Sequence, residues 1–314
     1  MSSDSISTLE FPSAPLLLRH CPPQPPSYVL TATTDAAAPS GMSYVVTSVV
    51  ECITKRENGM RQVFRVKLTS EAFQEPRHFI CKTALGRQWY KSLAEEAMLY
   101  ERKLKPLWGK VVPHYYGFFS GETYEGKTGI ILLEDCGQLA SDWLSRQPTY
   151  LRKSVLEAFI ALHRAGVSFQ QDSTLAAQVN VVIQYDPASA KYVPRLIDFS
   201  AVYPNHECLS EYGDIVVGAP EPEPSEVMCP SLYGIFLASA LFTPTHIRLR
   251  CGKDLPWEYA TDAETLKAHI TFPDDMSESD VECDIAAALR ERAQWDQERE
   301  ECDDGPVRVS EETS

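Results

Sequence analysis

Few residues in this 314-residue chain stand where they could do chemistry. A lysine closes the short apolar run Phe79-Ile-Cys-Lys82, and inside the following Ala94-Glu-Glu-Ala-Met-Leu-Tyr100 stands Glu96, with Glu95 one position away. An aspartate ends a second apolar run, Pro194-Arg-Leu-Ile-Asp198, and upstream of it lie a loop carboxylate, Asp172, and an amide, Asn180. Ammonium and carboxylate groups of this kind position anions and divalent cations by charge. Residue by residue, the ordinary readings are plainer: a lysine or aspartate at a strand end, and a solvated loop carboxylate at Asp172. Lys82 rises above that reading because a helix with a well-spaced glutamate follows it.

Other chemistries drop out. Seven histidines show no HExxH or similar spacing, and His163 in Leu162-His-Arg-Ala-Gly166 reads as a structural donor rather than a base. Nine cysteines form no CxxC and no Cys/His pair at zinc spacing, so reduced, mostly buried thiols are expected, Cys81 and Cys136 among them. There is no Gly-x-Ser-x-Gly elbow and no GxxxxGK[ST], which excludes hydrolase and P-loop readings. A net charge of −15 disfavours docking on nucleic-acid phosphates or anionic lipid, so neither nucleic acid nor membrane is an expected partner. The longest uncharged apolar run, Leu232 to Phe242, is about half of a membrane span, and the N-terminus lacks a basic start followed by an apolar run. An intracellular location, cytoplasmic or nuclear, is expected.

The elements that must position the candidates follow from periodicity. Tyr44–Ile53, Gln62–Leu68, His78–Ala84, Tyr115–Phe119 and Thr128–Glu134 read as strands, the first two joined through Asn58-Gly59. A helix is expected from about Tyr90 to Leu104, with Leu93, Ala97, Tyr100 and Leu104 on one face, and another from Leu151 to Gly166. Val179–Tyr185 and Lys191–Ile197 read as a strand pair turning at Asp186-Pro187, and Ser279–Arg299 as a helix. Residues 1–41, dense in Ser, Thr, Pro and Ala, are expected to form a disordered arm, and 301–314 an acidic disordered tail.

This order of elements resembles the protein-kinase-like superfamily, and particular residues carry the resemblance. Phe79-Ile-Cys-Lys82 is similar to the Val-Ala-Ile-Lys strand, and Pro194-Arg-Leu-Ile-Asp198-Phe-Ser200 to the strand and Asp-Phe-Gly segment, with Ser200 replacing glycine. Glu96 to Phe119 resembles in particular the kinase-like proteins of filamentous fungi. Gly129-Ile-Ile-Leu-Leu-Glu-Asp-Cys-Gly137 is similar to the fifth strand and the hinge, and Gly218-Ala-Pro-Glu221 spells the end of an activation segment within the Pro/Glu-rich run APEPEPSE.

The resemblance implies an α+β, two-lobed kinase-like fold: a β-rich lobe with one main helix and the hinge over 42–136, and a larger, mainly helical lobe over 137–300. It implies ATP and Mg²⁺ as cofactors. Lys82 would touch the phosphates and be held by Glu96, or by Glu95; Leu133, Glu134 and Cys136 would line the adenine pocket; Asp198 and Asn180 would hold Mg²⁺; Asp172 would orient a hydroxyl acceptor on a protein or small molecule. The sequence departs from the family pattern in two loops. The family's catalytic-loop His and Asp positions fall on Phe169 and Gln171, with Asp172 adjacent, and Ser173–Val179 forms an insertion before Asn180. The loop that should cover the phosphates, Ile53–Met60, has one glycine where the family has three. Two functions therefore stand: an ATP/Mg²⁺-dependent phosphotransferase, or a pseudokinase acting as a nucleotide-binding or scaffolding module. An α+β protein matching these motifs by chance is the plain alternative.

Overall fold

Period-two alternation builds most of one of the two units into which the chain divides, 1–137 with 161–171 and 195–206. The computed structural model describes residues 7–11, 27–33, 42–56, 59–71, 75–123, 126–140, 143–170, 173–210, 212–303 and 307. In chain order the first unit begins with β1 (Thr8–Phe11), β2 (Tyr28–Ala32), β3 (Ser43–Arg56), β4 (Arg61–Ser70) and β5 (Arg77–Leu85). α1 (Arg87–Arg102), β6 (Tyr115–Thr123) and β7 (Gly126–Glu134) follow. The seven strands close into a barrel in the order β1-β2-β6-β7-β5-β4-β3. β1 closes it, pairing antiparallel with β2 and parallel with β3. On β4, Gln62, Phe64, Val66 and Leu68 alternate inward; Leu9, Leu30, Tyr44 and Phe119 meet them in the core. α1 packs on the outside of β5, β6 and β7.

The second unit is 138–160, 172–194 and 207–314. After β8 (Gln138–Leu139), α2 (Thr149–Arg164) contributes all but its last turn to this unit, whereas β9 (Ser168–Phe169) belongs to the first. The insertion Ser173–Val179 winds into a helix, α3, about 10 Å long at 1.5 Å per residue. β10 (Val181–Asp186) and β11 (Lys191–Leu196) form the expected pair, in a sheet of order β11-β10-β8. The Asp186 carboxylate shapes its turn by accepting the N–H groups of Ala188 and Ser189. β12 (Val202–Tyr203) returns to the first unit, pairing with β9. The remainder is α4 (Pro224–Val227), α5 (Pro230–Ser239), the hairpin β13 (His246–Arg248) and β14 (Asp254–Pro256), α6 (Ala263–His269) and α7 (Glu278–Asp303). Ile247, Leu255, Trp257, Leu266, Ile285 and Ala288 form a separate core here. Among the described residues no helix is long and apolar enough to cross a membrane.

The expected two-lobed kinase-like fold, with its mainly helical second lobe, is not what the chain adopts. Strands of the first unit close into a seven-stranded barrel, and among the described residues helix and strand take near-equal shares, 35% and 34%. The cause lies partly in the stretch expected to be a disordered arm, 1–41. Thr8–Phe11 alternates with Leu9 and Phe11 buried, and Tyr28–Ala32 buries Leu30. Strands of four and five residues set among prolines are too short to show a period, yet they cover edges that β3 and β6 would otherwise expose. Of that arm, residues 1–6, 12–26 and 34–41 lie outside the described residues. At the other end α7 continues to Asp303, past the expected order boundary at 300, because its Glu- and Arg-rich sequence favours helix; 304–306 and 308–314 lie outside the described residues.

The closure carries a stability consequence. Leu30→Ala removes a fully buried side chain from the sealing strand and is expected to cost about 2–5 kcal/mol in urea unfolding, whereas Val29→Ala, at a position 52% exposed, stays within about 0.5 kcal/mol. Equal, small effects would show that β2 contributes nothing to the barrel.

Candidate functional site

Lys82 lies on β5 between β4 and β7, opposite Val63 on one side and Ile131 on the other. Its neighbours Phe79 and Cys81 point into the barrel, so alternation turns Lys82 to the outer face, beneath α1. On α1, Leu93, Glu96, Ala97 and Tyr100 are buried at helical spacing, and Glu96 thus shares the face that packs on the barrel. Asp198 comes from a segment, 195–206, that is anchored on the same unit. The Leu196 N–H donates to the Val111 carbonyl at 2.8 Å and the Arg195 guanidinium to the Gly109 carbonyl at 2.7 Å. Phe199 then lies edge-on to Tyr100 and stacks on Phe169, with ring centroids 5.4 and 5.5 Å apart. Asp198 itself has φ +59°, a left-handed conformation that aspartate tolerates better than most residues and that clusters at functional sites.

These elements bring three charges together. The Lys82 Nζ is 2.7 Å from Glu96 Oε2 and 2.6 Å from Asp198 Oδ1. The Phe199 N–H donates to Glu96 Oε1 at 3.2 Å and the Ser200 hydroxyl to Asp198 Oδ1 at 2.8 Å. Burial opposes the Lys82 ammonium, but Glu96 and Asp198 outweigh it and hold its pKa above the ordinary value. Burial pushes the Glu96 carboxyl up, against the pull of Lys82 and the Phe199 N–H. At Asp198 burial also acts upward, yet the charge and hydrogen bond of Lys82, the Ser200 hydroxyl and the Arg61 charge hold the carboxyl well below the usual carboxylate range. Only Asp198 keeps a substantial opening to solvent, its side chain 30% exposed. The site is an ammonium braced from behind by a buried carboxylate, with a partly open, strongly ionised carboxylate in front.

The alternative at Glu95 is resolved: its side chain is 60% exposed and lies 3.9 Å from Lys91 on the helix surface. The expected adenine-pocket residues are all in this unit. Leu133 is buried opposite Ile80, and Cys136 is buried with its thiol pushed up by desolvation. The Glu134 N–H is taken by the His114 carbonyl and its carboxylate by the His114 N–H, which leaves that N–H committed within the protein. Asp135 and the Gly137 carbonyl are pinned by Arg65 at 2.8 and 3.0 Å. Asp172 lies outside the described residues. Asn180 belongs to the second unit, where it is buried just before β10, its Nδ2 without a hydrogen-bond partner among the described residues. Cys81 faces the barrel core with its thiol pushed up to about 12, as a packing thiol should.

Sequence reasoning missed Arg61. It opens β4 just after Gly59 and Met60, where the sequence lacks the phosphate-covering glycines, and its guanidinium lies over Trp89, 5.5 Å from the ring centroid. A cation just beyond a glycine-poor loop was the available signal. Two other clusters are separate from the lysine site. His163, pushed down to about 4 by burial and by His206, packs edge-on to His206 at 4.8 Å within the first unit. A cavity of about 320 Å³ in the second unit is lined by Glu221, Glu223, Tyr233, His246 and Asp254, but Tyr233 already donates to Glu221 and Arg248 pairs with Asp254. No family model and no curated protein matches the chain.

Two outcomes follow for the three charges. Lys82→Ala strands the buried Glu96 carboxylate and leaves the partly open Asp198 without its partner, and is expected to cost about 3–5 kcal/mol in chemical unfolding, against less than about 0.5 kcal/mol for the exposed Lys91→Ala; similar costs would contradict a buried ion pair. The depressed folded-state pKa of Asp198 means that its contribution is present above the ordinary carboxylate value and disappears as pH falls through the folded-state value. The stability gap between wild type and Asp198→Asn should therefore stay level between pH 7 and 5 and narrow at pH 3, and a gap unchanged down to pH 3 would refute the ion pairing.

Proposed function

We propose that the first unit binds the polyphosphate of ATP together with Mg²⁺ at the Lys82–Glu96–Asp198 site. The observation that carries this reading is a lysine held by a buried carboxylate within 2.7 Å and facing a second carboxylate that is ionised and partly open. A triphosphate needs a fixed cation for its oxygens and a carboxylate for its metal, and this donor set suits both. Asp198 supplies one oxygen ligand to Mg²⁺, which neutralises phosphate charge when bound. Glu96 keeps Lys82 extended toward the phosphates, and the Ser200 hydroxyl and the left-handed backbone orient Asp198.

Phosphoryl transfer to a hydroxyl acceptor is the activity that such a site serves, and Asp172 is the residue the sequence offers for orienting that acceptor. A binding module without transfer is the second reading. It is favoured by Phe169, which stacks on Phe199 where the catalytic loop of the resembling family is polar, and by the engagement of both described site carboxylates with Lys82. An intracellular setting accords with the seven described cysteines, none of them in a disulfide among the described residues.

Calorimetric titration of ATP with and without Mg²⁺, paired with transfer from γ-labelled ATP, tests these readings. Wild type should bind ATP with Mg²⁺ and both Lys82→Ala and Asp198→Asn should weaken binding about 10- to 100-fold. Absence of wild-type binding would overturn the proposal. Transfer abolished by Asp172→Ala would establish the phosphotransferase, binding without transfer the module, and transfer surviving Asp172→Ala would remove that residue from the mechanism.

A further inference from the structure

Cys208 and Cys229 are far apart in sequence and adjacent in the second unit, their Sγ atoms within 4.8 Å of each other and in thiol–thiol hydrogen-bond contact. Neither is in a disulfide. Cys229 is buried, immediately before the first turn of α5, and Cys208 is half-buried in a stretch without regular structure. Burial pushes the Cys229 thiol up, while the backbone N–H groups of Leu232 and Ser231 at the helix start act in the opposite sense and favour a thiolate. A disulfide needs the sulfurs at about 2 Å, and the backbone around Cys208 belongs to no helix or strand. Between the two cysteines the chain displays Leu209 and Val216, 63% and 62% exposed, on that same irregular stretch.

From this placement we infer that Cys208 and Cys229 form a modification site, a reversible disulfide made by a peroxide oxidant and undone by thiols. Cys208, the more accessible, attacks hydrogen peroxide: a sulfur–oxygen bond forms, the oxygen–oxygen bond breaks, and the departing hydroxide leaves as water with the thiol proton. The Cys229 sulfur then attacks the sulfenic acid; the sulfur–sulfur bond forms, the sulfur–oxygen bond breaks, and a second water leaves with the Cys229 proton. Two thiols and one peroxide give one disulfide and two waters, with two electrons passing from sulfur to oxygen. The closed loop tethers 209–228, including its exposed apolar side chains, to the start of α5.

Full-length protein treated with hydrogen peroxide should lose the mass of two hydrogens and yield a Cys208–Cys229 linked peptide on non-reducing digestion, reversed by dithiothreitol. Limited proteolysis within 209–228 should slow several-fold in the oxidised form. Cys208→Ser should abolish both effects, and Cys52→Ser, at an exposed thiol, should leave them intact. The site is overturned if Cys208 and Cys229 stay reduced, proceed separately to sulfinic acids, or pair with other cysteines. The peptide map of wild type decides the matter even where a variant fails to fold.

Discussion

An ammonium group placed beneath a helix, on the outer wall of a β-barrel, is unstable there unless carboxylates follow it. Lys82 is such a group, and the first unit is organised around meeting its charge. β5 sets its direction by alternation, α1 delivers Glu96 on its buried face, and the 195–206 segment delivers Asp198. The aromatic contacts Phe169–Phe199–Tyr100–Tyr115 run through the same region, so apolar packing holds the carboxylates at the distances that charge requires. Removing the apolar neighbours would loosen the ion cluster, and removing the cluster would leave charge stranded among apolar groups.

That arrangement also separates roles between two carboxylates of identical chemistry. Glu96 is enclosed, and desolvation works against its ionisation; Asp198 is partly open, ringed by Lys82, Arg61 and Ser200, and stays ionised. The enclosed group is suited to holding the lysine, the open one to meeting an ion from solution. The difference arises from location on a buried helix face as opposed to a left-handed turn after a strand.

The site was legible in the sequence because its residues announce themselves locally: Lys82 on an apolar strand, Glu96 at the spacing of a buried helix face, Asp198 after a second apolar strand. The fold was less legible, since closing the barrel depends on Thr8–Phe11 and Tyr28–Ala32, short segments whose pairing partners at Ser43–Val45 and Phe119–Ser120 are distant in sequence. Registers of that kind reside in tertiary contacts and leave little local trace. Similarly, the Lys82–Glu96 part of the site rests on neighbouring elements, whereas Arg61 enters only through the field it exerts at Asp198, which periodicity does not show.

The most direct measurement is a crystal structure of the full chain with Mg²⁺ and a non-hydrolysable ATP analogue. Phosphate oxygens within hydrogen-bond distance of Lys82 Nζ, Mg²⁺ on the Asp198 carboxylate and an intact Lys82–Glu96 pair are the predicted result. Nucleotide bound elsewhere, or a chain that binds none at millimolar analogue while Lys82 stays closed on Asp198, would contradict the account.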